Sequence, residues 1–197
     1  MKRSGHNVMI NLGAHNAAVS EREENDYYAT DPRAVGLLLE RERFSPCVWE
    51  PACGEGHIAR ELERAGHTVY ASDLIGRGYG AVRDFLEERE SPPPFPDFDI
   101  VTNPPYKLAL PFVRHALDLI GDGRKAAFFL KLQFLESVER RKLFDVSPPR
   151  AVYVASGRLR CAKNGDFAAA RHANAISYAW FVWEKGYRGE PVLRWIN

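Results

Sequence analysis

The sequence predicts an α/β fold: a mostly parallel sheet with helices packed on both faces. Two observations predict it. From residue 32 onward, short apolar runs of strand type alternate with amphipathic stretches of helical period, as parallel strands joined by crossover helices require. The chemically unusual motifs fall at the carboxyl ends of predicted strands, which is where open α/β sheets bind ligands.

The elements follow in order. Residues 1–26 mix Gly, Asn, His and Ser with a charged "EREEND" and hold no period, so they are read as a flexible N-terminal arm able to order on docking. The remainder, 27–197, is read as one domain, for which the length of 197 residues suffices. "ATDPRAVGLLLERERF" is helical, with Asp31 as cap, Pro32 in the first turn, and Val35, Leu38 and Leu39 on one face. "CVWE" is a short buried strand. "GHIARELERAGH" is a helix with Ile58, Ala59, Leu62 and Ala65 inward, stopped by Gly66. "TVYASD" is a strand; "AVRDFLEERE" is a short strand running into a helical turn; "SPPPFPDF" is a proline-rich loop. Then come a strand "DIVTN", a helix "ALPFVRHALDLI", a strand "KAAFFLK", a helix "LESVERRKLF", a strand "AVYVAS" and a long final strand in "AISYAWFVWEKG". Trp180, Phe181 and Trp183 are assigned to the core of that last strand.

Composition excludes several classes. No apolar run reaches the roughly 18 residues of a membrane span, and no signal-peptide pattern opens the chain, so no membrane partner and a cytoplasmic location are expected. Cys47, Cys53 and Cys161 are scattered, as are the six histidines, so neither a disulfide framework nor a metal site is expected. The net charge of +1 hides an asymmetry: residues 1–123 carry −7 and residues 124–197 carry +8. The basic half is either a nucleic-acid face or a set of charges scattered over several solvated sides.

The first site is "WEPACGEGHIA". Gly54 and Gly56 lie between a strand and a helix, where glycine permits a tight loop and close backbone approach to a ligand. Asp73, ending the next strand, is spaced to accept from ribose hydroxyls. Gly54, Gly56 and Ala59 also satisfy the dinucleotide pattern. Glu50, just before the loop, shifts the reading towards a cationic ligand such as S-adenosylmethionine, since its carboxylate would repel a pyrophosphate. Cys53 lines the loop and His57 is a first-turn helix residue. Asp84 and Phe85 either contact an adenine or serve as helix cap and core.

The second site is "TNPPYK". Pro104 and Pro105 fix φ and remove two donors, Asn103 offers an acceptor, and Tyr106 offers a flat ring; together they form a cup for a planar group bearing an NH2. With these residues in place, "EPACGEG", "SDL", "RDF" and "NPPY" resemble, in order, the consecutive motifs of the class I S-adenosylmethionine-dependent amino-methyltransferases, in particular the N6-adenine DNA methyltransferases. The likeness spans roughly residues 27–135, with a looser one beyond.

The resemblance implies a Rossmann-like class I methyltransferase fold, with a mostly parallel seven-stranded sheet whose last strand is antiparallel. It implies S-adenosylmethionine as cofactor, touched by Tyr28, Thr30, Glu50, Pro51, Ala52, Cys53, Gly54, Gly56, Asp73, Leu74, Asp84, Phe85 and Asn103. It implies that Asn103 and the Pro104 carbonyl accept both hydrogens of the target amine, within a catalytic Asn103–Pro104–Pro105–Tyr106 tetrapeptide, while Tyr106 stacks on a flipped base. "DYYATDP" resembles the family's aromatic-Thr-Pro element, although Asp31 intervenes before the proline; Asp31 capping a helix beside Thr30 explains the stretch equally. Downstream, Arg158, Arg160, Lys163, Arg171 and Phe167, with Lys107 near the tetrapeptide, are read as substrate contacts, Phe167 facing Tyr106; a solvated loop is the competing reading. The expected partner is nucleic acid, DNA before RNA. The chain has no room for the family's large target-recognition domain, so sequence preference would come from short loops, the arm or a separate specificity partner. Enzymes with the same tetrapeptide on RNA bases or protein glutamine, a silent nucleic-acid-binding module, and an NAD-dependent oxidoreductase stay as alternatives.

Overall fold

Alternation within each apolar run sends neighbouring side chains to opposite faces of a sheet, and helices of matching length cover both. In the computed structural model, which describes residues 27–92, 95–159, 161–163, 165, 167 and 176–197, this produces ten strands and four α-helices. In chain order they are β1 (Tyr28–Thr30), α1 (Pro32–Leu39), β2 (Cys47–Glu50), α2 (His57–Arg64), β3 (Thr68–Asp73), β4 (Ala81–Val82), β5 (Asp99–Thr102) and α3 (Ala109–Leu119). There follow β6 (Lys125–Lys131), α4 (Val138–Val146), β7 (Ala151–Ala155), β8 (Cys161–Lys163), β9 (Tyr178–Glu184) and β10 (Val192–Ile196).

Eight strands form one sheet in the order β10-β7-β9-β6-β5-β2-β3-β4. Every pairing is parallel except those of β9, which runs antiparallel to both β6 and β7. Val48, Val101, Ala127, Phe129, Trp180 and Val182 point to the face covered by α1 and α2, where Ala34, Val35, Leu38, Ile58 and Leu62 meet them. Their chain neighbours Trp49, Ile100, Ala126, Phe128 and Phe181 point to the face covered by α3 and α4. Polar atoms of the large rings are satisfied inside this core: Trp180 Nε1 donates to Ala34 O at 2.8 Å and Trp49 Nε1 to Ser72 Oγ at 2.9 Å.

Four findings depart from the sequence reading. The sheet has eight strands, because "VLRWI" adds β10 beside β7 and makes the antiparallel strand the penultimate one; only Ile196 of β10 is buried, so its apolar signal was weak. Ala65 is exposed and lies past the end of α2. The helix read from Leu135 begins at Val138, after a 3₁₀ turn at Leu132–Leu135, where the Ser137 hydroxyl accepts from Arg140 N. A separate antiparallel ladder joins β1 to β8, pairing Tyr28 with Lys163, Ala29 with Ala162 and Thr30 with Cys161. No helix among the described residues is long and apolar enough to cross a membrane. Residues 1–26, read as an arm, lie outside the described residues.

Candidate functional site

Chain order reverses direction across the sheet between β2 and β5, and the crevice outside this switch point is where three candidate residues end up. Glu50 ends β2, Asp73 ends β3 and Asn103 follows β5.

The loop after β2 is shaped by two glycines with positive φ, Gly54 at +53° and Gly56 at +80°. A Cβ on Gly54 would run into the Tyr27 ring, and one on Gly56 into the Tyr79 ring. The Asp73 carboxylate fixes this loop from across the crevice, accepting Gly54 N–H at 2.8 Å through Oδ2 and Ile75 N–H at 2.9 Å through Oδ1. The strand-end carboxylate thus holds the glycine loop itself. Tyr27 closes over the loop: its hydroxyl accepts Glu55 N–H at 3.3 Å and meets His57 Nδ1 at 2.8 Å. Burial lowers the His57 pKa, which favours the neutral ring beside the Tyr27 hydroxyl. The Phe167 ring lies against His57, with centroids 5.7 Å apart.

Glu50 is 1% exposed. Burial pushes its pKa well above the usual carboxylate range; the Ala59 N–H works the other way, and the negative charges of Asp73 and Glu63 add to the rise. Its Oε2 has no hydrogen-bond partner among the described residues. A buried carboxyl with an unused oxygen fits a cationic ligand, and the amino or sulfonium group of S-adenosylmethionine meets that requirement. Glu50 shares a cavity of about 10 Å³ with Tyr27, Tyr28, Thr30, Cys53 and Asn103. Pro51 is buried and Ala52 half-buried beside it. Burial, with the nearby Glu50 and Asp73 charges, raises the Cys53 thiol to about 12.

At the tetrapeptide, the Asn103 amide turns its Nδ2 towards Tyr28 O (3.1 Å) and Thr30 Oγ1 (2.9 Å). Its Oδ1 is buried and accepts no hydrogen bond among the described residues. The loop therefore carries an acceptor with its hydrogen-bonding capacity unused. Pro104 is buried, Pro105 and Lys107 are exposed, and Tyr106 is half-buried. The Tyr106 hydroxyl donates to Cys161 Sγ at 3.1 Å, the ring packs near Tyr28 and Tyr178, and the Lys131 ammonium sits 4.6 Å from its centroid. Burial drives the Tyr106 phenol well above its ordinary pKa and the Cys161 thiol to about 11.

Other predicted residues fall differently. Phe85 is 2% exposed and packs on Trp49, Phe112 and His115, and Asp84 caps the turn at Phe85–Glu87 by accepting Leu86 N–H at 3.0 Å. The core and cap roles are both present in the structure. Leu74 is exposed. Phe167, expected to face Tyr106, has its ring against that of His57. Arg158 is exposed at the edge of a separate groove of about 740 Å³ between α1 and the ends of β7 and β10. Arg160, Arg171 and the Lys163 side chain lie outside the described residues. Of the basic residues beyond 123, Arg124, Lys125, Arg141, Lys142 and Arg150 form ion pairs. Sequence reasoning missed Tyr27, Tyr79, Tyr178 and Cys161 as wall residues. A signal existed for Tyr79, flanked by Gly78 and Gly80 in a turn whose glycines both have positive φ.

No family model matches the chain, and no curated protein matches its sequence. Solved structures share its fold. A Listeria monocytogenes protein assigned as a class I S-adenosylmethionine-dependent methyltransferase is 11% identical with a TM-score of 0.55, over 96% of this chain and 70% of that one. A Pyrococcus horikoshii protein assigned as an RNA methyltransferase is 13% identical with a TM-score of 0.54, over 96% of this chain and 100% of that one. A Vibrio vulnificus protein assigned as a modification subunit of a type I restriction enzyme is 12% identical with a TM-score of 0.53, over 95% of this chain and 49% of that one. The chain spans about half the length of that subunit. It has the Rossmann-like class I methyltransferase fold, with a mixed sheet and helices on both faces.

Proposed function

We propose that this chain is an S-adenosylmethionine-dependent methyltransferase that acts on an exocyclic amino nitrogen, with adenine N6 in DNA as its target. One observation carries the reading: Glu50 and Asn103, which line one cavity at the sheet's switch point, each hold a buried acceptor, Oε2 and Oδ1, without a partner among the described residues. Such acceptors suit a ligand set of one cation and one NH2 donor.

The roles divide accordingly. Glu50 holds the cationic part of the cofactor, the glycine loop gives it backbone access, and Asp73 accepts from the ribose hydroxyls. S-adenosylmethionine supplies an electrophilic methyl group. Asn103 Oδ1 and the Pro104 carbonyl take the two amine hydrogens, which draws the nitrogen lone pair out of conjugation and aims it for in-line transfer. Transfer breaks the sulfur–methyl bond and leaves neutral S-adenosylhomocysteine; the amine proton, acidic only as nitrogen gains the methyl group, passes to water, so no strong base is required. The cysteines support the same view: with thiols raised to about 12 at Cys53 and about 11 at Cys161, neither supplies a thiolate nucleophile at neutral pH.

We place the enzyme in the cytoplasm as a single domain over 27–197, with DNA as partner and sequence choice supplied by a separate partner or by short loops. Labelled methyl transfer onto unmethylated duplex DNA, single-stranded DNA, total RNA and protein tests it. Label in N6-methyldeoxyadenosine supports the reading; label in RNA or protein alone moves the target to an RNA base or a glutamine amide.

A further inference from the structure

The two ends of an asparagine amide have nearly the same shape, so its neighbours decide which end faces a ligand. Here the deciding groups lie on the small β1·β8 ladder. Tyr28 O can only accept, so it requires the Nδ2 end of Asn103, 3.1 Å away. Thr30 Oγ1, 3% exposed and 2.9 Å from Nδ2, takes the second N–H. Thr30 pairs directly with Cys161 across the ladder, and Cys161 Sγ lies 3.8 Å from the same nitrogen while accepting from Tyr106. Two segments about 130 residues apart in the chain thus form one wall behind the tetrapeptide. With the Nδ2 end saturated, the buried Oδ1 is the end of the amide left without a partner among the described residues, and Asn103 lines the same cavity as Glu50.

We infer that Thr30 is a positioning residue: its hydroxyl, with the Tyr28 carbonyl, locks the Asn103 amide so that Oδ1 is presented to the acceptor amine, and it does not serve as a cofactor contact. The inference rests on the amino-methyltransferase reading for its kinetic consequence, although the orientation itself is independent of activity.

Thr30→Val keeps the shape and removes the acceptor, leaving one amide N–H with only the weakly accepting Cys161 sulfur, 3.8 Å away, in reach; Thr30→Ser retains it. With the full chain, Thr30→Val lowers kcat about 10- to 100-fold, the loss expected of a misaimed reacting group, and leaves KM for S-adenosylmethionine within about 2-fold. Thr30→Ser restores kcat to within about 3-fold. An unchanged kcat in Thr30→Val, or a raised KM for S-adenosylmethionine with kcat intact, overturns the inference. Side-chain amide exchange read by NMR on ¹⁵N-asparagine-labelled protein decides the orientation even where no methyl acceptor is found. Both Asn103 NH2 protons exchange slowly in the wild type and one becomes fast in Thr30→Val, while backbone amide protection in β5 is retained. Equal exchange in the two proteins overturns the inference and leaves the methyltransferase reading standing.

Discussion

Glu50→Gln separates function from stability because it moves them in opposite directions. The substitution keeps the size of the side chain and the oxygen that takes the Ala59 N–H, and removes the charge. A hydrogen bond to a charged group contributes about 1.5–3 kcal/mol, so loss of charge at the unused Oε2 lowers cofactor affinity about 10- to 150-fold. Stability goes the other way. Burial raises the Glu50 pKa in the fold, so the native state binds the proton more tightly than the unfolded chain does. The charge therefore costs nothing below the unfolded pKa of about 4.3, and its cost grows as pH rises from there through the folded pKa. The cofactor-free Gln variant matches wild type near pH 4 and melts higher at pH 7. Calorimetric titration with S-adenosylmethionine and thermal melts from pH 4 to pH 8 read both effects. An unchanged Kd would refute the cation-site argument, and a melting difference independent of pH would refute the burial argument.

Three further outcomes follow from the same geometry. Phe85→Ala empties a packed site between Trp49 and Phe112 and costs about 3–5 kcal/mol in denaturant unfolding, while cofactor affinity of the folded protein stays within about 2-fold; weakened affinity with full stability would put the ring on the ligand. Glu42, 3% exposed, joins Lys125 at 2.8 Å to Arg150 and Tyr153, so Glu42→Ala strands buried partners and costs about 3–5 kcal/mol; a loss below 1 kcal/mol would show the network to be solvated. Asp73→Ala releases the Gly54 and Ile75 amides and weakens cofactor binding about 10-fold or more, and an unaltered calorimetric affinity would count against its assignment.

Much of the frame was legible because its signals are local. "CVWE", "TVYASD" and "KAAFFLK" reached the structure with the bounds expected of them; in the first and last, burial on both faces of the sheet leaves an apolar run. The glycine loop was legible because positive φ restricts the residue type. What escaped was decided by contacts distant in sequence. β10 has four exposed residues out of five and is held by backbone pairing to β7, which leaves little trace in side-chain pattern. The β1·β8 ladder is three residues long on each strand, and only the folded chain brings Thr30 beside Asn103. Asp84 and Phe85 had two readings of equal weight because a cap and a ligand acceptor need the same carboxylate; Leu86 N–H at 3.0 Å and the surrounding rings give both residues structural partners.

The proposed transfer turns on Asn103 Oδ1, a buried acceptor that takes the amine. Single-turnover transfer from labelled S-adenosylmethionine to unmethylated duplex DNA, at saturating cofactor and with nucleoside analysis of the product, tests it in wild type and in Asn103→Ala. The account predicts N6-methyldeoxyadenosine from wild type, none above background from the variant, and cofactor affinities that agree within about 3-fold. Equal transfer by both proteins would contradict it.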